Sequence, residues 1–138
     1  MTSLYRIQFY TALEFLKQGY LDEAVAEFKK AIKLNPNLTH AYNNLALTFI
    51  NKREFDEAIL LLNKSKDLVP REATTQNLFG LIYYLRENFD LSILHYKRSI
   101  DFQPNDPTPY KFLIEIYTNI KKDIISAKLY TEKLKLIQ

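Results

Sequence analysis

The side chains that could perform chemistry are few and widely separated in this sequence. His40 and His95 are the only histidines, and there is no cysteine. No second histidine or cysteine stands at metal-ligand spacing from either of them, so we expect surface or groove histidines and no metal site. Gly19 and Gly80 are the only glycines, too few for a loop that cradles phosphate.

Pairs of adjacent carboxylates could suggest acid–base catalysis, but their spacing favours a structural role. Asp22 and Glu23 recur as Asp56 and Glu57, 34 residues later. Each pair stands at the start of an amphipathic segment, where negative charge stabilises a helix N-terminus. We therefore expect no enzyme, and the sequence indicates no cofactor, metal or small-molecule substrate.

Composition points to a single globular domain over residues 1–138. The chain is 47% hydrophobic and carries a net charge of +3, which is too small to require a polyanionic partner. Neither a signal peptide nor an apolar run long enough to cross a bilayer is present, so a cytoplasmic location without membrane insertion is expected.

The elements that position these residues repeat with a fixed period. Pro36, Pro70 and Pro104 stand 34 residues apart, each closing a similar amphipathic segment. Apolar residues recur at helical spacing throughout, which predicts antiparallel helix hairpins with short turns and no strand. The predicted helices cover about 3–17, 21–34, 39–52, 55–68, 73–86, 89–102, 107–120 and 123–137.

Counted in units of 5–38, 39–72, 73–106 and 107–138, certain positions keep their residue type. The eighth holds Ala12, Ala46, Gly80 and Ile114. The eleventh holds Phe15, Phe49, Tyr83 and Tyr117. The twentieth holds Ala24, Ala58, Ser92 and Ser126. The twenty-fourth holds Phe28, Leu62, Tyr96 and Tyr130.

This pattern resembles the tetratricopeptide repeat (TPR) family. The resemblance implies an all-α, right-handed α-solenoid, an alpha-alpha superhelix of four antiparallel helix-turn-helix repeats. In the fourth unit, Asp123 replaces an apolar residue at the hairpin, and Lys133 replaces the small residue of position 27. We interpret that lysine as a sign that the array stops there.

The resemblance also implies a binding surface, because the first helix of each repeat lines a concave groove in such proteins. Members that clamp a peptide carboxylate use Lys, Asn and Arg at set positions, of which only Asn44 is present here. The expected function is therefore a scaffold or adaptor whose groove binds an apolar helix or extended peptide of another protein. The groove residues named by this interpretation are Phe9, Tyr10, Leu13, Asn43, Asn44, Leu47, Asn77, Leu78, Leu81, Lys111 and Phe112.

Two alternatives stay open. Apolar residues at outward positions of the second helices could mediate self-association, giving a homo-oligomer. That patch comprises Leu60, Leu61, Leu91, Leu94, Ile125 and Leu129. RNA binding by a helical repeat is a less favoured alternative, because the groove is largely neutral and nucleic acid demands basic positions.

Overall fold

A computed structural model of the chain describes residues 3–138, so the first two residues of the predicted domain lie outside it. The helices in the first half are α1 (Leu4–Gln18), α2 (Leu21–Leu34), α3 (Thr39–Asn51) and α4 (Phe55–Leu68). Those in the second half are α5 (Ala73–Leu85), α6 (Phe89–Phe102), α7 (Pro107–Glu115), a π-helix (Ile116–Ile120) and α8 (Ile124–Ile137). No strand occurs among residues 3–138, and the predicted all-α class of helix hairpins is confirmed.

The chain divides into two compact units, one ending at Pro70 and the other beginning at Arg71. The first contains the hairpins α1–α2 and α3–α4, and α2 also packs against α3. The second contains α5–α6 and α7–α8, and α6 also packs against α7. The prediction of one domain over residues 1–138 stays a prediction.

The turn inside each hairpin uses a left-handed residue. Gly19 closes α1 with φ of 82°, where glycine carries no steric penalty. Arg53, Glu87 and Lys122 adopt φ of 61°, 60° and 55° at the corresponding places in the later hairpins. These four residues are spaced by 34, 34 and 35, so the last hairpin is one residue longer than its predecessors.

In the first unit, small residues let the paired helices approach closely. Ala12 faces the α1–α2 contact together with Ala24, and both are fully buried. Phe28 on α2 and Leu62 on α4 are also fully buried. A larger residue at the alanine positions would force the helices apart, since protein interiors have few voids.

A tyrosine near the start of α3 is tied to the proline turn before it. The Tyr42 hydroxyl donates to the Pro36 carbonyl at 2.8 Å. In the second unit, the Tyr110 hydroxyl donates to the Pro104 carbonyl at 2.7 Å in the same way. This bond satisfies a carbonyl just after the end of a helix, and it explains why a tyrosine follows both Pro36 and Pro104 at the same distance.

The second unit contains more aromatic residues in its core. Tyr96 is almost fully buried against Gly80, and Ser92 Oγ donates to the Gly80 carbonyl at 2.9 Å. The core around it also includes Leu113, Tyr117, Ala127 and Tyr130 together with Tyr110. Burial raises the pKa of Tyr96, Tyr110 and Tyr130, because a phenolate would lose its hydration there.

The extra residue of the last hairpin lies in the π-helix. The predicted helix over 107–120 is observed as α7 followed by one wider turn at Ile116–Ile120. A π-turn accommodates one additional residue within a helix. Every repeat position after this turn is therefore displaced by one relative to the sequence-based numbering.

This displacement corrects the assignments of Ser126 and Tyr130 in the fourth unit. The buried small residue of α8 is Ala127, whereas the predicted Ser126 donates its hydroxyl hydrogen to Asp123 Oδ2. Tyr130 stacks on Tyr117 with ring centroids 5.8 Å apart, as His95 stacks on Tyr83 at 5.4 Å. Tyr130 is thus the equivalent of His95 and not of Tyr96.

The same displacement explains Asp123 and moves Lys133 out of position 27. Asp123 is the N-cap of α8 and accepts from the Ser126 backbone N–H at 3.1 Å. Leu134, which packs against the core, occupies the place of the fully buried Ala31 and Ser99. The interpretation of Lys133 as the residue of position 27 was wrong.

Candidate protein-binding surface

The first helices of the amino-terminal unit carry a partly exposed apolar surface. Leu13 on α1 and Leu47 on α3 occupy the same repeat position, and both are half-buried. The helices α1 and α3 contact each other directly. Phe9, one turn before Leu13, is half-buried and its ring meets the edge of Phe28 with centroids 5.9 Å apart.

The amides on this side of the unit are less available than we expected. Asn43 is only 3% exposed and contributes little to the surface. Asn44 is half-exposed, but its Nδ2 donates to the His40 carbonyl at 2.8 Å, within its own helix. The apolar side chains therefore dominate what this surface offers to a ligand.

In the second unit, the corresponding positions combine two leucines with polar groups already bonded. Leu78 and Leu81 on α5 are half-buried, and Lys111 on α7 is exposed. Asn77 Nδ2 donates to Asp106 Oδ2 at 3.0 Å. This bond ties α5 to the N-cap of α7, so the Asn77 amide has a structural role.

Phe112 belongs to the packing between α6 and α7. Its ring stacks on Tyr96 with centroids 4.8 Å apart and planes 13° from parallel. Tyr84 meets its edge at 5.2 Å and donates its hydroxyl hydrogen to Glu115 Oε1 at 2.6 Å. That hydrogen bond raises the pKa of Tyr84. Phe112 is therefore held in place before any ligand arrives.

The patch predicted on the second helices is exposed to different degrees. Leu60 on α4 is 72% exposed, and Ile125 on α8 is 85% exposed. Leu94 and Leu129 are also exposed, whereas Leu61 and Leu91 are half-buried. Ile125 stands where α2 and α6 carry Asp22 and Asp90.

The other side chains that could take part in chemistry do not form a site. His95 lies against Phe79 and Tyr83, and its Nδ1 is 2.8 Å from Gln76 Oε1. Within residues 3–138, no three His, Cys, Asp or Glu side chains are close enough to hold a metal ion. None of the helices in the described part of the chain is long and apolar enough to cross a membrane.

A further surface, on the outer side of α1, was not singled out from the sequence. Six α1 residues line an open hollow of about 580 Å³: Ile7, Tyr10, Thr11, Glu14, Phe15 and Gln18. Tyr10, predicted for the groove, is 64% exposed and lies here. The signal was present in the sequence, because the α3 counterparts of Ile7, Thr11 and Glu14 are the small or apolar Ala41, Leu45 and Thr48.

Solved structures share this fold at low sequence identity. The crystal structure of MamA is 21% identical, with a TM-score of 0.84 over 97% of this chain and 78% of that chain. MamA 41-end from Desulfovibrio magneticus RS-1 is 20% identical, with a TM-score of 0.81 over 96% and 75%. The first TPR of Spaghetti (RPAP3), bound to the HSP90 peptide SRMEEVD, is 18% identical, with a TM-score of 0.77 over 85% and 93%. These identities show the fold alone.

Two protein families match the first half of the sequence, and no curated protein sequence matches the chain. The family described as TPR repeat matches residues 12–53, and that described as Tetratricopeptide repeat matches residues 39–70. The matched segments coincide with the hairpins whose alanine positions are best preserved. Together with the helix hairpins and the solved structures, they confirm the predicted fold class and the predicted resemblance to the tetratricopeptide repeat family, whose models match within residues 12–70.

Proposed function

We propose that this chain is a non-enzymatic protein-interaction module. Its ligand is an apolar helix or extended segment of another protein, which lies along the first helices. Tetratricopeptide folds commonly serve as interaction scaffolds, and the structure of the first TPR of Spaghetti (RPAP3) contains a bound peptide. The partly exposed apolar side chains of α1 and α3 support the same role for this chain.

The observation that carries the proposal is the pair Leu13 and Leu47. They occupy one repeat position on two contacting helices, and each keeps part of its side chain accessible to solvent. A leucine required only for packing would be covered, as Leu45 is on the same helix. With Phe9 beside them, these side chains provide two or three anchor points for apolar residues.

The expected affinity follows from the size of these anchors. Full burial of one Leu-sized side chain contributes about 1.5–3 kcal/mol. Two or three such anchors, after the cost of ordering the ligand, correspond to micromolar dissociation constants. An acidic peptide terminus is not the expected ligand. The positions at which carboxylate-clamping members carry Lys, Asn or Arg are occupied here by Phe9, Leu13, Thr74 and Leu78.

A peptide library displayed on phage tests this proposal with the full chain. Selected peptides should be rich in apolar residues, and the free peptide should bind with a Kd in the micromolar range. Leu47→Asp should weaken that binding at least about tenfold, because it places a charge among the anchors. The peptide SRMEEVD should not bind.

The matched control is Leu60→Asp, which makes the same substitution on a second helix. Both variants should keep the far-UV circular dichroism of the wild type. Peptides that bind the wild type and both variants equally would show that the ligand does not use the first helices. If Leu60→Asp weakened peptide binding more than Leu47→Asp does, the binding site would lie on the second helices instead.

Self-association through the second helices is the second candidate function. The exposure of Leu60 and Ile125 favours it, because large apolar side chains in solvent often mark an interface. Sedimentation equilibrium should then show a concentration-dependent dimer that Ile125→Asp abolishes. A strict monomer at millimolar concentration would eliminate this candidate without affecting the first.

A further inference from the structure

The hollow on α1 is an exposed apolar surface on a helix whose one buried residue is Ala12. Ile7 is 50% exposed and Tyr10 64%, and Phe15 forms part of the same surface. Glu14 is the only charged residue among the six that line it, and it accepts a hydrogen bond from Gln18 Nε2 at 3.0 Å. The surface is therefore apolar with one negative charge and no cation.

Two other first helices show what normally covers this surface. On α3, the counterparts of Ile7, Thr11 and Glu14 are Ala41, Leu45 and Thr48, and all three are buried. They are buried because α2 packs on α3. On α7, the counterparts Leu113 and Ile116 are fully buried beside α6. The α1 hollow therefore corresponds to a helix-docking surface, and none of the helices within residues 3–138 covers it.

The helices that cover α3 and α7 share a short sequence signature. It reads aromatic–Lys–any–small: Phe28, Lys29 and Ala31 in α2, and Tyr96, Lys97 and Ser99 in α6. Ala31 and Ser99 are fully buried, which permits the close approach of the two helices.

The lysine of the signature has the same contact in both cases. Lys29 Nζ lies 5.8 Å from the centre of the Phe49 ring, and Lys97 Nζ lies 5.7 Å from that of Tyr117. A cation over an aromatic face is stabilised by the ring quadrupole. On α1 the equivalent aromatic residue is Phe15, and Glu14 stands beside it. A lysine placed there would gain a second favourable interaction.

We propose that the α1 hollow binds an amphipathic helix of another protein that carries the aromatic–Lys–any–small signature. The small residue faces α1, and the lysine lies over Phe15 near Glu14. End-to-end stacking of a second copy through α8 does not supply this helix, because the signature positions of α8 hold Thr131, Glu132 and Leu134. This surface is distinct from the Leu13–Leu47 surface of the proposed function.

A peptide with the sequence of α2 is a defined probe for this surface. The end-blocked, fluorescein-labelled peptide of residues 21–35, LDEAVAEFKKAIKLN, should bind the full chain saturably. A Kd of about 10–100 µM is expected, because so short a helix is marginal in water and must be ordered on binding. Ile7→Asp should weaken binding at least about tenfold, whereas Leu60→Asp should leave it unchanged.

A charge exchange tests the predicted contact. Glu14→Lys should weaken binding of this peptide about fivefold, and a peptide with Lys29→Glu should recover part of the loss on the Glu14→Lys chain. Absence of saturable binding below about 1 mM would overturn the proposal. Binding that is insensitive to Ile7→Asp would also overturn it, since the peptide would then exchange with α2 itself. A dimer of the chain that Ile7→Asp dissociates would assign the hollow to a second copy instead.

Discussion

At the scale of single residues, the repeat survives by compensating changes at paired positions. The eighth and twenty-fourth positions hold Ala46 and Leu62, both fully buried, in one hairpin, and hold Gly80 packed against Tyr96 in the next. A Cβ on Gly80 would lie 2.8 Å from the Tyr96 ring, inside van der Waals contact. The larger tyrosine is therefore accommodated only because its partner has no side chain.

Gly80→Ala should lower the free energy of unfolding by about 1 kcal/mol. Overpacking costs about 1–3 kcal/mol, and the better helix propensity of alanine offsets about 1 kcal/mol of this. Urea denaturation measures the change. The double variant with Tyr96→Leu reproduces the Ala46–Leu62 pair and should recover part of the loss. A gain in stability for Gly80→Ala alone would contradict the packing described for Tyr96.

The buried tyrosines should make the fold sensitive to alkali. Burial raises the pKa of Tyr96 and Tyr110 above the value of about 10 expected in an unfolded chain. Above that pH, the unfolded chain releases protons that the folded chain retains, so the free energy of unfolding should fall as pH rises. Urea denaturation between about pH 8 and 11 tests this. Tyr96→Phe should make the decline shallower, and an identical decline in that variant would contradict the assignment.

At the scale of helices, most boundaries could be predicted from the 34-residue period and apolar spacing. The exception is α7, because a strict 34-residue period does not indicate the one-residue insertion in the π-helix that follows it. Aligning Lys52, Arg86 and Lys121 reveals the insertion, because the first two are 34 residues apart and the last two are 35 apart. Each of the three precedes a residue with positive φ in a hairpin turn. Lys121 keeps the contact of its counterpart: it pairs with Asp90 at 2.5 Å, as Lys52 pairs with Asp22 at 2.6 Å.

Deletion of Asn119 should be tolerated, because it converts the π-turn to regular α-helix and restores the 34-residue spacing. The free energy of unfolding should stay within about 1 kcal/mol of the wild type. Deletion of Asn51, the last residue of α3, should cost about 3 kcal/mol or more, because it shifts the turn that follows a regular helix. Urea denaturation compares the two. Equal losses would show that the π-turn does not hold an insertion.

At the scale of the whole chain, the sequence predicted the repeat architecture better than the binding surface. The family's consensus positions place Leu13 and Leu47 on the first helices, and these remain candidates. Consensus positions do not report hydrogen bonding, so the engagement of Asn44 with His40 and of Asn77 with Asp106 could not be anticipated. The α1 hollow was missed because its importance depends on what packs against α3 and α7.

The central claim is that a protein ligand binds along the first helices. Titration of the isotope-labelled chain with a selected apolar peptide, followed by backbone amide chemical shifts, measures this residue by residue. We predict the largest shifts in α1 and α3 around Leu13 and Leu47, with small shifts around Leu60 in α4. Shifts concentrated in α4, or spread evenly over the chain, would contradict the claim.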